Sequence, residues 1–276
     1  MIVLLTNDDG IFAEGLGALC RAFESCSGWE VYIAAPDRER SASGHAITMH
    51  QPLRVDEVKL EGTCSRVAWA VSGTPADCTK LAVKALLPGL PRVVVSGINR
   101  GPNLGADVFY SGTVSAAFEA AMLGIPAIAV SMAAFENLDY ALASEFAVYV
   151  AGLIEERGLP RDTILNINVP ALPPCDIAGV AVTRLGTSRF RDFFERRLDP
   201  RGRAYYWLTG EMETSLDGPD TDVGAIKANL ISLTPVQLDL THHGLVGSLP
   251  DWHLKIPHLK RERLANTGAG TSETKV

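Results

Sequence analysis

Up to Val169 the chain alternates between short, continuous apolar runs and segments whose apolar residues recur at helical spacing. Ile2-Val3-Leu4-Leu5 is unbroken by polar residues, as a strand covered on both faces requires, and it passes through Thr6 into Asn7-Asp8-Asp9-Gly10. Leu16, Leu19, Cys20 and Phe23 then fall on one helical face. Val31-Tyr32-Ile33-Ala34 predicts a second buried strand, ending in a polar loop at 36–44. Segment 46–71 reads as short antiparallel strands, a hairpin-rich insertion. Thr74-Pro75-Ala76-Asp77 carries the signals of a helix start: Thr at the N-cap, Pro at the first helical position, Asp three residues on. That helix runs to about residue 87. Val93-Val94-Val95-Ser96 predicts a further strand, followed by a loop rich in Gly and Asn at 97–112. A helix at about 113–123, the strand Ala127-Ile128-Ala129-Val130, a helix marked by Leu142, Phe146, Val150 and Leu153, and a strand at 164–169 complete the series. Strands alternating with helices predict an α/β fold built on a doubly wound, mostly parallel sheet.

Beyond residue 178 the pattern changes. Short β-like runs at 180–184, 204–208 and 230–233 are joined by polar, Arg-rich or Gly/Asp-rich loops, with a turn signal at Asp199-Pro200-Arg201-Gly202. We read about 180–245 as a C-terminal antiparallel β arm, which either pairs with another subunit or covers the sheet. Residues 1–251 then form a single α/β domain. Residues 252–276, polar and glycine-rich toward the end, are expected to be a flexible tail.

Composition narrows the function classes. At 276 residues, 47% hydrophobic and 21% charged, the chain is that of an ordinary globular protein. A net charge of −7 argues against a nucleic-acid polymer or an anionic membrane as partner. Five scattered cysteines without a CxxC pair suit a reducing compartment. With no leader-like segment after Met1 and no long uninterrupted apolar stretch, a cytoplasmic location is expected.

The chemistry-bearing residues lie where predicted strands end, which is where open α/β sheets bind ligands. Asp8 and Asp9 are adjacent carboxylates at the end of a buried strand, so they either share a divalent cation or form only a polar turn. The loops holding Ser41 and Ser43 and holding Asn99 converge on the same edge, and together they offer carboxylate, hydroxyl and amide oxygens. Such hard ligands suit Mg²⁺ or Mn²⁺. Ser111-Gly112-Thr113 opens a helix whose free N–H groups can hold a phosphate, although Ser and Thr are also ordinary caps. Asn7 belongs to the same edge. His45, beside Gly44, is an acid/base, a phosphate ligand or merely hydrogen-bonded. No GxxxxGK[ST] loop and no GxSxG elbow are present.

Several longer stretches resemble the SurE family of survival-protein nucleotidases. They are Leu4-Leu5-Thr6-Asn7-Asp8-Asp9-Gly10, Ala35-Pro36-Asp37-Arg38-Glu39-Arg40-Ser41, Gly73-Thr74-Pro75-Ala76-Asp77-Cys78 and Ser96-Gly97-Ile98-Asn99-Arg100-Gly101-Pro102-Asn103. Tyr110-Ser111-Gly112-Thr113-Val114, Leu165-Asn166-Ile167-Asn168-Val169-Pro170 and Thr234-Pro235 follow in order. The resemblance implies metal-dependent hydrolysis of nucleoside 5′- and 3′-monophosphates, with some action on polyphosphate. It also implies one Mg²⁺ or Mn²⁺ per subunit held by Asp8, Asp9, Ser41 and Asn99, and a homodimer or homotetramer built through the arm. Asp8 or Asp9 would activate water, while Asn7, Ser43, His45, Asn99, Ser111, Gly112 and Thr113 would contact substrate. Two rival classes fit less well. A receiver module needs a phospho-accepting Asp where Ser96, Gly97 and Asn99 stand, and a dinucleotide oxidoreductase on a Rossmann-like sheet would meet repulsion from Asp8 and Asp9.

Overall fold

The computed structural model describes residues 1–63, 65, 67–187, 189–213 and 217–254. The expected tail therefore lies, from residue 255 on, outside the described residues. In chain order the first elements are β1 (Ile2–Thr6), α1 (Glu14–Ser25), β2 (Glu30–Pro36), β3 (Val55–Val58), β4 (Val67–Val71) and α2 (Pro75–Leu81). A π-helical turn, Ala82–Leu86, extends α2. Next come β5 (Val93–Asn99), a 3₁₀ turn Gly105–Phe109, α3 (Gly112–Met122), β6 (Ala127–Met132), α4 (Ala141–Arg157), β7 (Thr163–Val169) and β8 (Gly179–Val182). The series ends with β9 (Arg189–Leu198), β10 (Ala204–Glu213), α5 (Asp222–Lys227), β11 (Leu230–Gln237) and α6 (His243–Ser248). Residues Met1–Leu238 form one compact unit, and a second, Asp239–Val276, contains α6.

Nine strands make one sheet in the order β3-β4-β2-β1-β5-β6-β7-β11-β8. Only β3 against β4 and β11 against β7 run antiparallel. Leu16, Leu19, Phe23, Ala147, Val150 and Ile154 bury α1 and α4 on one face. Cys78, Ala82, Val114, Ala117 and Ala120 bury α2 and α3 on the other. The sheet is thus doubly wound, and its order reverses between β1 and β5, which places a crevice at their carboxyl ends.

Two sequence readings need correction. Segment 46–71 does contain a hairpin, β3–β4, but it is no insertion: β4 pairs parallel with β2, Tyr32 opposite Val67. The apolar run Val67-Ala68-Trp69-Ala70-Val71 is buried because it belongs to the sheet. Likewise the runs at 180–184 and 230–233 enter the main sheet as β8 and β11. The separate antiparallel unit is the β9–β10 hairpin alone, closed at Asp199, whose Oδ1 accepts from Arg201 N (2.8 Å) and Arg203 N (2.9 Å). The start of α2 is as read: Thr74 and Asp77 exchange side-chain and backbone hydrogen bonds in a capping box.

Buried amides clamp the loop that follows β5. Asn168 Oδ1 accepts from Asn103 N (2.8 Å), while Asn168 Nδ2 (3.1 Å) and Asn166 Nδ2 (2.9 Å) donate to Asn103 O. Asn103 Nδ2 donates to Ser131 Oγ (2.7 Å), and Asp222 Oδ2 accepts from Gly105 N (2.8 Å). Asn168→Ala strips the Asn103 N–H of its acceptor in the protein interior. We expect it to cost about 2–4 kcal/mol, measured by urea unfolding.

Candidate active site

Asp8 stands at the carboxyl end of β1 with a relative exposure of 4%. Its Oδ1 accepts a hydrogen bond from the Thr113 hydroxyl in the first turn of α3. Gly112 permits this approach: a Cβ there would lie 2.7 Å from Asp8 Cβ and 2.9 Å from Asp8 Oδ2. The neighbouring carboxylate, Asp9 Oδ2, accepts from Arg100 N (3.1 Å), one residue beyond Asn99. Asp8 O accepts from Arg40 N (2.7 Å), which brings the 36–44 loop to the same edge. Asn7 closes the turn between them, since its Nδ2 donates to Gly10 O (2.9 Å) and its Oδ1 accepts from Gly10 N (3.2 Å).

The residues singled out from the sequence fall into two groups. Asp8, Asp9, Asn99, Gly112 and Thr113 are joined directly or through an adjacent backbone amide. Asn99 Nδ2 donates to Gly101 O (2.8 Å), which fixes the amide and leaves its oxygen as the free end. Ser41 is exposed, and its hydroxyl donates to Glu39 Oε1 (2.7 Å), so its lone pairs remain open to a cation. Ser111 caps α3 by accepting from Val114 N (3.1 Å). Ser43 Oγ is buried with no partner among the described residues. His45 pairs with α3: its Nε2 lies 3.0 Å from Glu119 Oε2, and Lys80 Nζ donates to Glu119 Oε1 (2.8 Å). This Glu119 cluster was missed from sequence, although a lone carboxylate among the small and apolar residues of α3 was the available signal.

Residues 3–192 match the family described as "Survival protein SurE". The chain belongs to the SurE family. A SurE protein of Moorella thermoacetica named 5′-nucleotidase is 54% identical over 88% of this chain and 92% of its own. One from Heliobacterium modesticaldum, named likewise, is 50% identical over 91% and 92%. The crystal structure of the SurE protein from Aquifex aeolicus superposes with a TM-score of 0.78 at 37% identity, covering 92% of this chain and 100% of that one.

Electrostatics show what this SurE site lacks. Burial pushes the Asp8 carboxyl up to about 6; the Thr113 hydrogen bond opposes that shift, and the Asp9 charge adds to it. Asp9 is also raised, by burial first, with the Arg100 amide opposing and Glu39 adding. Glu119 differs. Burial would raise it, yet the hydrogen bonds from His45 and Lys80 outweigh burial and hold it below the usual carboxylate range. Asp8 and Asp9 thus form a pair whose charge the protein itself does not compensate. Among the described residues no three His, Cys, Asp or Glu side chains cluster as a metal site. The donor set is two carboxylates with neutral oxygens from Ser41 and Asn99, and it fits a hard divalent cation.

The sign of the Asp8 shift gives a test. Its folded value lies above its unfolded value of 3.8, so the ionised form destabilises the fold. That penalty is absent below about pH 4 and complete once the pH passes about 6. In chelated buffer Asp8→Asn keeps the acceptor for Thr113 and removes the charge. It is expected to add about 2–3 kcal/mol at pH 8 and almost nothing at pH 4, read from thermal melts at both values.

Proposed function

We propose that this chain is a nucleotidase: a phosphomonoesterase that hydrolyses nucleoside 5′-monophosphates to nucleoside and phosphate. On this reading 3′-monophosphates and short polyphosphate share the same phosphoryl site. The observation that carries it is the buried, uncompensated Asp8-Asp9 pair set against the N-terminus of α3. The names of the SurE relatives support the substrate class.

Asp8, Asp9, Ser41 and Asn99 would hold one Mg²⁺ or Mn²⁺. When bound, the cation supplies Lewis-acid polarisation of the phosphoryl group and makes water more acidic. The remaining chemistry belongs to side chains and amides of the protein. Asp9, half-buried and anchored by the Arg100 amide, is the less constrained acid and the better placed to orient water. Asp8, with Thr113 donating to it, is fixed in one orientation. The Thr113 hydroxyl proton is therefore committed to Asp8, and phosphate contact falls to the Gly112 amide, the Ser111 hydroxyl and the partnerless Ser43 hydroxyl. Asn7 shapes the acidic turn, and His45 ties the 36–45 loop to α3 through Glu119. Phosphate release from AMP is expected to vanish with chelator and return with Mn²⁺ or Mg²⁺. Asp9→Asn is expected to lower turnover at least about 100-fold with no loss of melting temperature; wild-type turnover in that variant would overturn the assignment.

The assembly reading, homodimer or homotetramer, is also part of this proposal. Phe193, Phe194, Tyr206, Trp207 and Leu208 of the β9–β10 hairpin are each more than half exposed, a density of large apolar side chains that favours burial against another copy. Phe194→Ser with Trp207→Ser is expected to convert the oligomer to monomer in analytical ultracentrifugation. An unchanged sedimentation coefficient would count against the arm as the interface.

A further inference from the structure

The cavity that touches Asp9 is walled by Glu14, Glu39, Arg100 and Tyr140 and has a volume of about 230 Å³. Glu14 and Tyr140 also line a larger groove of about 710 Å³ between α1 and α4, so the two spaces share a wall and lead away from Asp9. In the groove, Ser144 is only 2% exposed, and its Oγ has no partner among the described residues. Ser144 follows Tyr140 by one helical turn, its N–H donating to Tyr140 O (2.9 Å). The Tyr140 ring is set by a close approach: a Cβ at Gly15 would lie 3.1 Å from Tyr140 Cε1 and 2.2 Å from Ile98 O.

We infer that this cleft is the subsite for the nucleoside part of the substrate, with Tyr140 as the base-stacking platform and Glu14 as an acceptor for sugar hydroxyls. The inference rests on the nucleotidase reading and deepens it. An aromatic face beside a guanidinium offers a stacking surface to any base. With Asp9 taken up by the cation, two carboxylates (Glu14, Glu39) against one guanidinium (Arg100) give the rest of the wall a net negative character. Ribose hydroxyls donate to such a wall, whereas a leaving group with further phosphates is repelled by it. The cleft therefore favours monophosphate esters of a neutral, hydroxyl-rich leaving group and disfavours polyphosphate.

Two variants of the full chain test this, both with melting profiles as a folding control. Tyr140→Leu is expected to raise KM for AMP about tenfold, while kcat/KM for ethyl phosphate, whose leaving group is too small to reach the ring, stays within about twofold. Glu14→Gln is expected to raise the ratio of tripolyphosphate to AMP turnover about threefold at low salt, with the gain fading as salt is added. Adenosine alone, titrated calorimetrically, is expected to bind wild type and to bind Tyr140→Leu about tenfold more weakly. Equal adenosine affinities, no adenosine binding to wild type, an equal loss on both esters, or an unchanged tripolyphosphate ratio would each overturn the subsite. Wild-type failure on both AMP and ethyl phosphate with Mn²⁺, alongside adenosine binding that depends on Tyr140, would instead overturn the nucleotidase reading and leave the subsite standing.

Discussion

The structure at the carboxyl edge depends on one constraint: the Asp8 carboxylate is buried and cannot meet its charge requirement within the protein. β1 carries it there because Val3, Leu4 and Leu5 are wholly buried in the centre of the sheet and leave the chain no freedom to turn Asp8 outward. Thr113 supplies one donor, and Gly112 lets α3 come close enough for that bond to form. A hydroxyl is less than full compensation for a desolvated carboxylate beside another carboxylate. The positive end of α3 acts in the same direction without closing the gap. What the fold positions is therefore an electrostatic deficit, and a cation is the simplest group that fills it. On the proposed metal reading, cation and proton are competitors: with its carboxyl lifted to about 6, Asp8 would have to lose its proton before acting as a ligand.

The elements legible in the sequence were those whose periodicity is set by burial on known faces. β1, β2, β5 and β6 are covered by helices on both sides, so each carries a continuous apolar run, while the buried Asn166 and Asn168 interrupt the run in β7. α2 announced itself through Thr74 and Asp77, because a capping box is a local interaction with a fixed spacing. Strand partners are not local, which is why β4 was read as part of an insertion and β11 as part of an arm. β9 escaped notice for another reason. Phe193 and Phe194 stand side by side and are both exposed in the isolated chain, so the run shows no alternation of apolar and polar positions to mark it as a strand.

The candidate site divided along the same line. Asp8, Asp9 and Asn99 were visible because strand ends locate them. The pairing of Thr113 with Asp8, and of His45 with Glu119, could not be read, since sequence separations of 105 and 74 residues carry no local signature. Glu119 and Lys80 show the cost of ignoring a misfit. A buried carboxylate between Phe118 and Ala120-Ala121 needs a partner, and the structure provides two.

On the proposed nucleotidase reading, charge also gives a bound nucleotide a direction. The chain bears a net charge of −7, yet at physiological salt fields are screened beyond about 8 Å, so the local arrangement decides. On one side of Asp8 and Asp9 stands the N-terminus of α3, where amides and the helix dipole favour an anion. On the other side stand Glu14 and Glu39, with Arg100 as the lone guanidinium in the wall of that cavity. A phosphate placed among those carboxylates would meet like charge, while the nucleoside would be left against bare helix amides that it cannot satisfy. The reverse orientation matches each part of the substrate to its complement: phosphate between the acidic turn and α3, sugar and base along Tyr140 toward the groove between α1 and α4. The polarity of the two walls, more than the volume of either, makes the site directional.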